Sequence, residues 1–194
     1  MPKVRKLRLP RGRVRFLSDE ERTHLLNACQ VSHNPYLYTL VVLALSTGAR
    51  RGELLSLRWP DVDMKRKMLT FQQTKNGETR SVPLTGNGFD VLTQHAKVRR
   101  LNTSLVFPDR TGTRPLGIRG AFDDAVERAG IADFRFHNLR HTAASYLAMN
   151  GASLLEIAEV LGHKTLAMVK RYAHLTEAHT RSVVERTNKA VFGD

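Results

Sequence analysis

A late tyrosine, Tyr172, follows His163 by nine positions, and His137-Asn138-Leu139-Arg140-His141 lies a short way upstream of both. Nearer the front, Thr47-Gly48-Ala49-Arg50 adds another arginine. A tyrosine flanked by arginines and histidines is suited to attacking a phosphodiester. On a helix, His137 and Arg140 share a face with Cβ atoms roughly 5–6 Å apart, close enough to address one phosphate. The planar fork of Arg140 matches two non-bridging oxygens, and Arg50 from another element completes a clamp. Donors aimed at those oxygens stabilise the transition state more than the ground state, because charge builds there as the nucleophile adds.

Free tyrosine titrates near pH 10, so at pH 7 only about one molecule in 10³ is phenolate. Nearby guanidiniums are expected to lower that pKa, with His137 taking the proton. The departing sugar oxygen also needs a proton, which Lys75 could deliver from a hairpin tip. His137 and His141 also have the i, i+4 spacing of a zinc pair, but Asn138 stands where a metalloprotease needs glutamate, and no metal is expected. Gly162-His163-Lys164-Thr165 lacks the upstream glycine of a phosphate loop, so no nucleotide is expected either.

The elements that must position these groups are mostly helical. Ser18-Asp19-Glu20-Glu21 is a capping box that opens a helix to about residue 30. Asn34-Pro35 precedes an apolar helix, Gly48 turns the chain, and a short helix spans about 51–57. Strands are expected at 68–73 and 80–83 around the Asn76-Gly77 turn, placing Lys75 at the tip, with a further short strand at 105–107. Helices follow at about 88–99, 117–129 and 137–149, and Ser153 with Glu156 opens another that ends at Gly162. Thr165 is expected to cap a helix carrying Tyr172, and Thr176 a last amphipathic one. The expected fold is therefore mainly α with a small antiparallel β-sheet (α+β).

The chain has 194 residues, 41% apolar and 25% charged, enough for one domain with a substantial core. Its net charge of +13 points to a polyanionic partner. Seven of those charges (Lys3, Arg5, Lys6, Arg8, Arg11, Arg13 and Arg15) fall in residues 1–16 without an acid, which reads as a basic tail or linker ahead of a domain at 17–194. No run of about 18 apolar residues is present and the basic start lacks a signal peptide's apolar core, so a cytoplasmic location is expected. Cys29 reads as packing. Arg80, Arg99, Arg100 and Arg114 are candidate DNA-backbone contacts. His24, His33, His95, His174 and His179 read as surface or helix-end residues.

Thr47-Gly48-Ala49-Arg50-Arg51-Gly52-Glu53-Leu54, Thr74-Lys75, His137-Asn138-Leu139-Arg140-His141-Thr142, Leu161-Gly162-His163 and Arg171-Tyr172 together resemble the signature boxes of tyrosine recombinases, particularly phage integrases, over about residues 15–185. The resemblance implies the catalytic-domain fold of that family. It also implies that Arg50, Arg140 and His163 bind the scissile phosphate, Lys75 is the general acid, His137 assists proton transfer, and Tyr172 forms a 3′-phosphotyrosine. Glu53 and His141 would support these groups from behind.

Enzymes of this kind act on double-stranded DNA as a homotetramer without cofactors; a free monomer and accessory DNA-bending proteins are expected here. The family's usual upstream DNA-binding domain has only the basic tail in its place. Arg51-Gly52 departs from the more usual apolar-small pair. Two other readings remain open: a type IB topoisomerase, and a non-catalytic DNA-binding module on the same fold.

Overall fold

The computed structural model describes residues 14–72 and 79–193. Its central pillar is α2 (Leu37–Thr47), which carries no charged residue and is buried at Leu37 and along Leu40 to Ala44. An apolar helix of this kind must be surrounded. It packs against α1 (Asp19–Gln30), α4 (Gly86–Lys97) and α6 (Phe136–Met149). The expected capping box of α1 is present: Glu21 N–H donates to Ser18 Oγ at 3.1 Å, and Ser18 N–H donates to the Glu21 carboxylate at 3.0 Å.

The chain is packed before that cap. Leu17 is fully buried and its N–H donates to Thr142 Oγ1 on α6 at 3.1 Å, while Arg15 pairs with Glu21 at 2.6 Å. Residues 14–16 therefore belong to the folded body, because burying Leu17 fixes the backbone just upstream. The rest of the basic tail, residues 1–13, lies outside the described residues.

After α3 (Arg51–Leu55), an antiparallel sheet is ordered β1 (Val62–Asp63), β2 (Met68–Phe71), β3 (Arg80–Pro83). Leu69 faces Val82 and Phe71 faces Arg80 across β2 and β3. Lys75 and the expected Asn76-Gly77 turn lie outside the described residues. The expected strand at 105–107 does not form. Leu105 makes only an isolated bridge to Arg58, since this segment crosses the end of the 3-10 turn Trp59–Asp61 and finds no sheet edge.

The principal core gathers α1, α2, the sheet, α5 (Arg119–Arg128) and the first turns of α6. His95, read from sequence as a surface or helix-end residue, lies in the last turn of α4 but is buried in this core. It is 7% exposed, its Nε2 lies 2.8 Å from the Val106 carbonyl, and its ring stacks on Phe107 with centroids 5.3 Å apart. Cys29 is buried packing as expected, its thiol pushed up to about 12 by desolvation.

A second, smaller core lies between the rest of α6, α7 (Leu154–Leu161) and two 3-10 turns, Leu166–Met168 and Lys170–Leu175. Ala144, Ala148, Ile157, Ala158, Leu161, Val169 and Tyr172 fill it. Tyr172 thus rides a 3-10 turn rather than a capped helix. Neither Thr165 nor Thr176 makes a side-chain cap, and the terminal α8 (Glu177–Phe192) begins from a helical Thr176.

Gly48 shows how tightly the two cores meet. Its φ is +59°, and a Cβ built on it would lie 2.4 Å from Leu161 Cδ2. Gly48→Ala is expected to cost about 2–4 kcal/mol, combining a left-handed non-glycine residue with local overpacking. Urea unfolding measures this directly, and an unchanged midpoint would show that Leu161 gives way freely.

Candidate active site

Arg50 leaves α2 through Gly48 and caps α3 in extended conformation (φ −70°, ψ 150°). Glu53, one turn on, fixes it twice: the Arg50 backbone N–H donates to Glu53 Oε2 at 2.9 Å, and Arg50 Nη1 donates to Oε1 at 2.6 Å. Glu53 is 8% exposed, and the hydrogen bonds and charges of Arg50 and Arg80 hold its pKa down against the burial that acts to raise it.

Arg80 occupies the other side of Glu53 and not the open surface. Its Nη2 donates to Glu53 Oε2 at 2.8 Å, its Nη1 donates to the Val160 carbonyl, and its Cζ lies 4.8 Å from the Phe71 ring centre. Arg80 was expected at the DNA backbone; in this structure its side chain is 9% exposed with both terminal nitrogens engaged inside the protein, which places it behind Glu53 rather than on the open surface. The signal was available: strand alternation puts Arg80 on the same face as buried Val82.

Of the other surface candidates, Arg99 lies over Trp59 and Arg100 donates to the carbonyls of Asp109 and Arg110, where it holds a turn; Arg114 is exposed.

Arg140 is 4% exposed on α6 and joins the two cores, donating from Nη1 to the Gly48 carbonyl and from Nη2 to the Leu161 carbonyl, both at 2.7 Å. Burial, then Arg50 and Arg80, bring its pKa down to about 10, so it remains charged at neutral pH. Gly162 follows with φ +65° and ends α7, directing His163 toward the same cluster. A Cβ on Gly162 would meet Arg80 Cδ at 2.5 Å, so arginine and glycine fit each other.

His163 is brought to about 4 by desolvation and then by Arg140, Arg50, Arg171 and Arg80, and its buried Nδ1 has no hydrogen-bond partner among the described residues. Arg171 was not singled out on sequence, though its place beside Tyr172 is a signal for it. Arg50, Arg80, Arg140 and Arg171 thus surround a neutral His163, and Glu53 offsets part of their charge at Arg50, Arg80 and Arg140.

Tyr172 is 1% exposed, and its hydroxyl lies 2.6 Å from His141 Nδ1. Contrary to the sequence expectation its pKa is raised, because burial outweighs Arg171 and Arg140. His141 is depressed to about 4, first by desolvation and then by His137 and the arginines, and is neutral at pH 7. With the proton on Nε2, His141 Nδ1 accepts the tyrosine O–H. The expected base, His137, is exposed and stands edge-on to His141 with centroids 5.0 Å apart, so His141 rather than His137 holds the hydroxyl here.

His95, His141 and His163 all have folded pKa values below the unfolded value near 6.5. The unfolded chain binds protons there that the folded one does not, so stability is full above about pH 6.5 and is lost as pH falls toward 4. Urea midpoints should drop measurably between pH 7 and pH 5, and a flat profile would contradict these shifts.

A mainly helical domain with a small antiparallel sheet, presenting arginines and histidines around a tyrosine, is the fold of integrase catalytic domains. Residues 15–179 match the phage integrase family, and the chain belongs to it. The catalytic domain of bacteriophage HP1 integrase superposes with a TM-score of 0.69 at 33% identity, over 90% of this chain and 96% of that one.

The shufflon-specific DNA recombinase of Escherichia coli is 35% identical over 173 residues, covering 89% of this chain and 43% of that protein. The integrase of Salmonella phage P22 is 36% identical over 181 residues, 86% of this chain and 45% of its own length. The chain thus spans less than half the length of these two relatives, which are named as a recombinase and an integrase rather than as topoisomerases.

Proposed function

We propose that this chain is the catalytic part of a site-specific recombinase or integrase that cuts and rejoins double-stranded DNA through Tyr172. The observation that carries the reading is a cluster of the Arg50 and Arg140 cations around a neutral His163, beside a tyrosine whose hydroxyl already meets a second neutral histidine, His141.

In the proposed reaction the scissile phosphate is held by Arg50, Arg140 and His163. Tyr172 Oη attacks phosphorus as its proton passes to a histidine, His141 or His137, and the bond from phosphorus to the 5′ oxygen breaks. Lys75 supplies the proton that the 5′ oxygen takes up. The products are a 3′-phosphotyrosine and a free 5′-hydroxyl. Attack by another strand's 5′-hydroxyl reverses the steps, and the covalent link conserves the bond energy without a nucleotide or metal.

Tyr172 must leave its buried seat to reach a phosphate. α8 packs against the turn that carries it and exposes Val184, Val191 and Phe192. We assign α8 to docking on a neighbour within a homotetramer on DNA, the free chain being a monomer. Accessory DNA-bending proteins and a cytoplasmic location complete the reading, and an upstream DNA-binding segment would supply site recognition.

The test is incubation with nicked suicide duplexes in chelator, followed by denaturation and mass mapping. A covalent adduct on Tyr172 that Tyr172→Phe abolishes is the expected result. Adducts on another residue, or none from a version restored with an upstream domain, would overturn it.

A further inference from the structure

Beside the catalytic cluster lies a cleft of about 490 Å³ lined by Arg51, Arg119, Arg135, Asp123 and the apolar floor of Ile118, Phe122 and Phe136. Arginines from three separate segments line it, and all three residues are exposed. Asp123 pairs with Arg119 at 3.6 Å, an exposed contact of little energetic weight. Among the described residues, Arg51 and Arg135 have no carboxylate within ion-pair distance.

This arrangement works against the fold. Arg119 opens α5 and Arg135 precedes α6, neither helix has an acid in its first turn, and cations at that end of a helix oppose the macrodipole. Three cations crowded into one cleft add mutual repulsion. Nothing in the folded chain requires the crowding, since the floor beneath is already closed by Ile118, Phe122 and Phe136. An anion seated in the cleft removes both costs.

Chain continuity selects the anion. Arg51 follows Arg50 directly and Arg135 precedes His137 by two residues, so the cleft shares two segments with the catalytic cluster. A strand whose phosphate lies on Arg50 and Arg140 carries further phosphates past this point. Resting on the function proposed above, we infer that the Arg51, Arg119 and Arg135 cleft binds a backbone phosphate flanking the scissile one and so sets the register of the strand across the active site. Arginine suits this task because its fork fixes phosphate oxygens in two directions.

The test is binding to a short random-sequence duplex over a KCl series, read by fluorescence anisotropy. Each lost phosphate contact lowers the slope of log Kobs against log salt by about 0.9. Arg51→Gln and Arg135→Gln combined release that one phosphate and should therefore flatten the slope by about 0.9, whereas Arg51→Lys with Arg135→Lys should keep it. Arg66→Gln is the control, since Arg66 sits in the turn between β1 and β2, at the end of β2 away from Phe71 and Arg80.

A slope for the cleft variants equal to that of the control would overturn the inference. So would a wild-type melting temperature raised by inorganic phosphate through these arginines with no change in DNA slope, which would mark a small-anion site instead. Adduct formation at Tyr172 is read separately. A flattened slope without adduct keeps the cleft and removes the enzymatic reading, and an adduct with an unchanged slope does the reverse.

Discussion

Arg140→Lys is expected to lower the rate of Tyr172 adduct formation by about 10²–10³-fold, the loss that follows removal of one oriented donor to a developing oxyanion. Lysine keeps the charge, so a purely electrostatic role would survive the change. The geometry says otherwise: Arg140 spans from the Gly48 carbonyl to the Leu161 carbonyl with two nitrogens 2.7 Å from their acceptors. One ammonium cannot reproduce that span and still face a phosphate. A buried acceptor left unpaired costs about 1–3 kcal/mol, so some stability goes as well. Single-turnover rates on suicide substrates, with urea unfolding in parallel, separate the two losses. A rate within about threefold of wild type would remove Arg140 from the phosphate clamp.

Much of this was legible because it is written locally. The pairs Ser18 with Glu21 and Ser153 with Glu156 form the capping boxes that their spacing dictates, and the uncharged run of α2 is buried as its composition demands. Gly48 and Gly162 fall at left-handed helix ends, which is where glycine is favoured.

What was not legible depends on contacts distant in sequence. His95 is buried because Trp59 and Phe107 stack on it from segments separated from its helix, and no periodicity of a lone histidine records that. Tyr172 was read as an activated phenol because charges near it were visible and its burial among Ile157, Leu161 and Val169 was not. Desolvation then reversed the sign of the expected shift. Arg80 is the intermediate example: alternation along β3 places it inward, while its type alone suggested the surface.

That inward arginine gives the second large effect. Glu53→Leu is expected to destabilise the domain by about 3–5 kcal/mol, because it leaves the Arg80 guanidinium buried without its carboxylate. Adding Arg80→Met should recover most of this loss, since a buried ion pair replaced by apolar side chains of similar volume is often neutral or better. Cleavage should not recover. Glu53 also holds Arg50 by its backbone N–H and its guanidinium, and Arg80 grips the Val160 carbonyl ahead of the turn that presents His163. The double variant would therefore fold with Arg50 and His163 unguided and form adduct far more slowly than wild type. Urea midpoints and single-turnover rates on the two variants decide the matter. Recovery of both stability and rate would mean that the pair serves the fold alone, whereas recovery of stability without rate would identify Glu53 and Arg80 as the groups that align three separate segments on one phosphate.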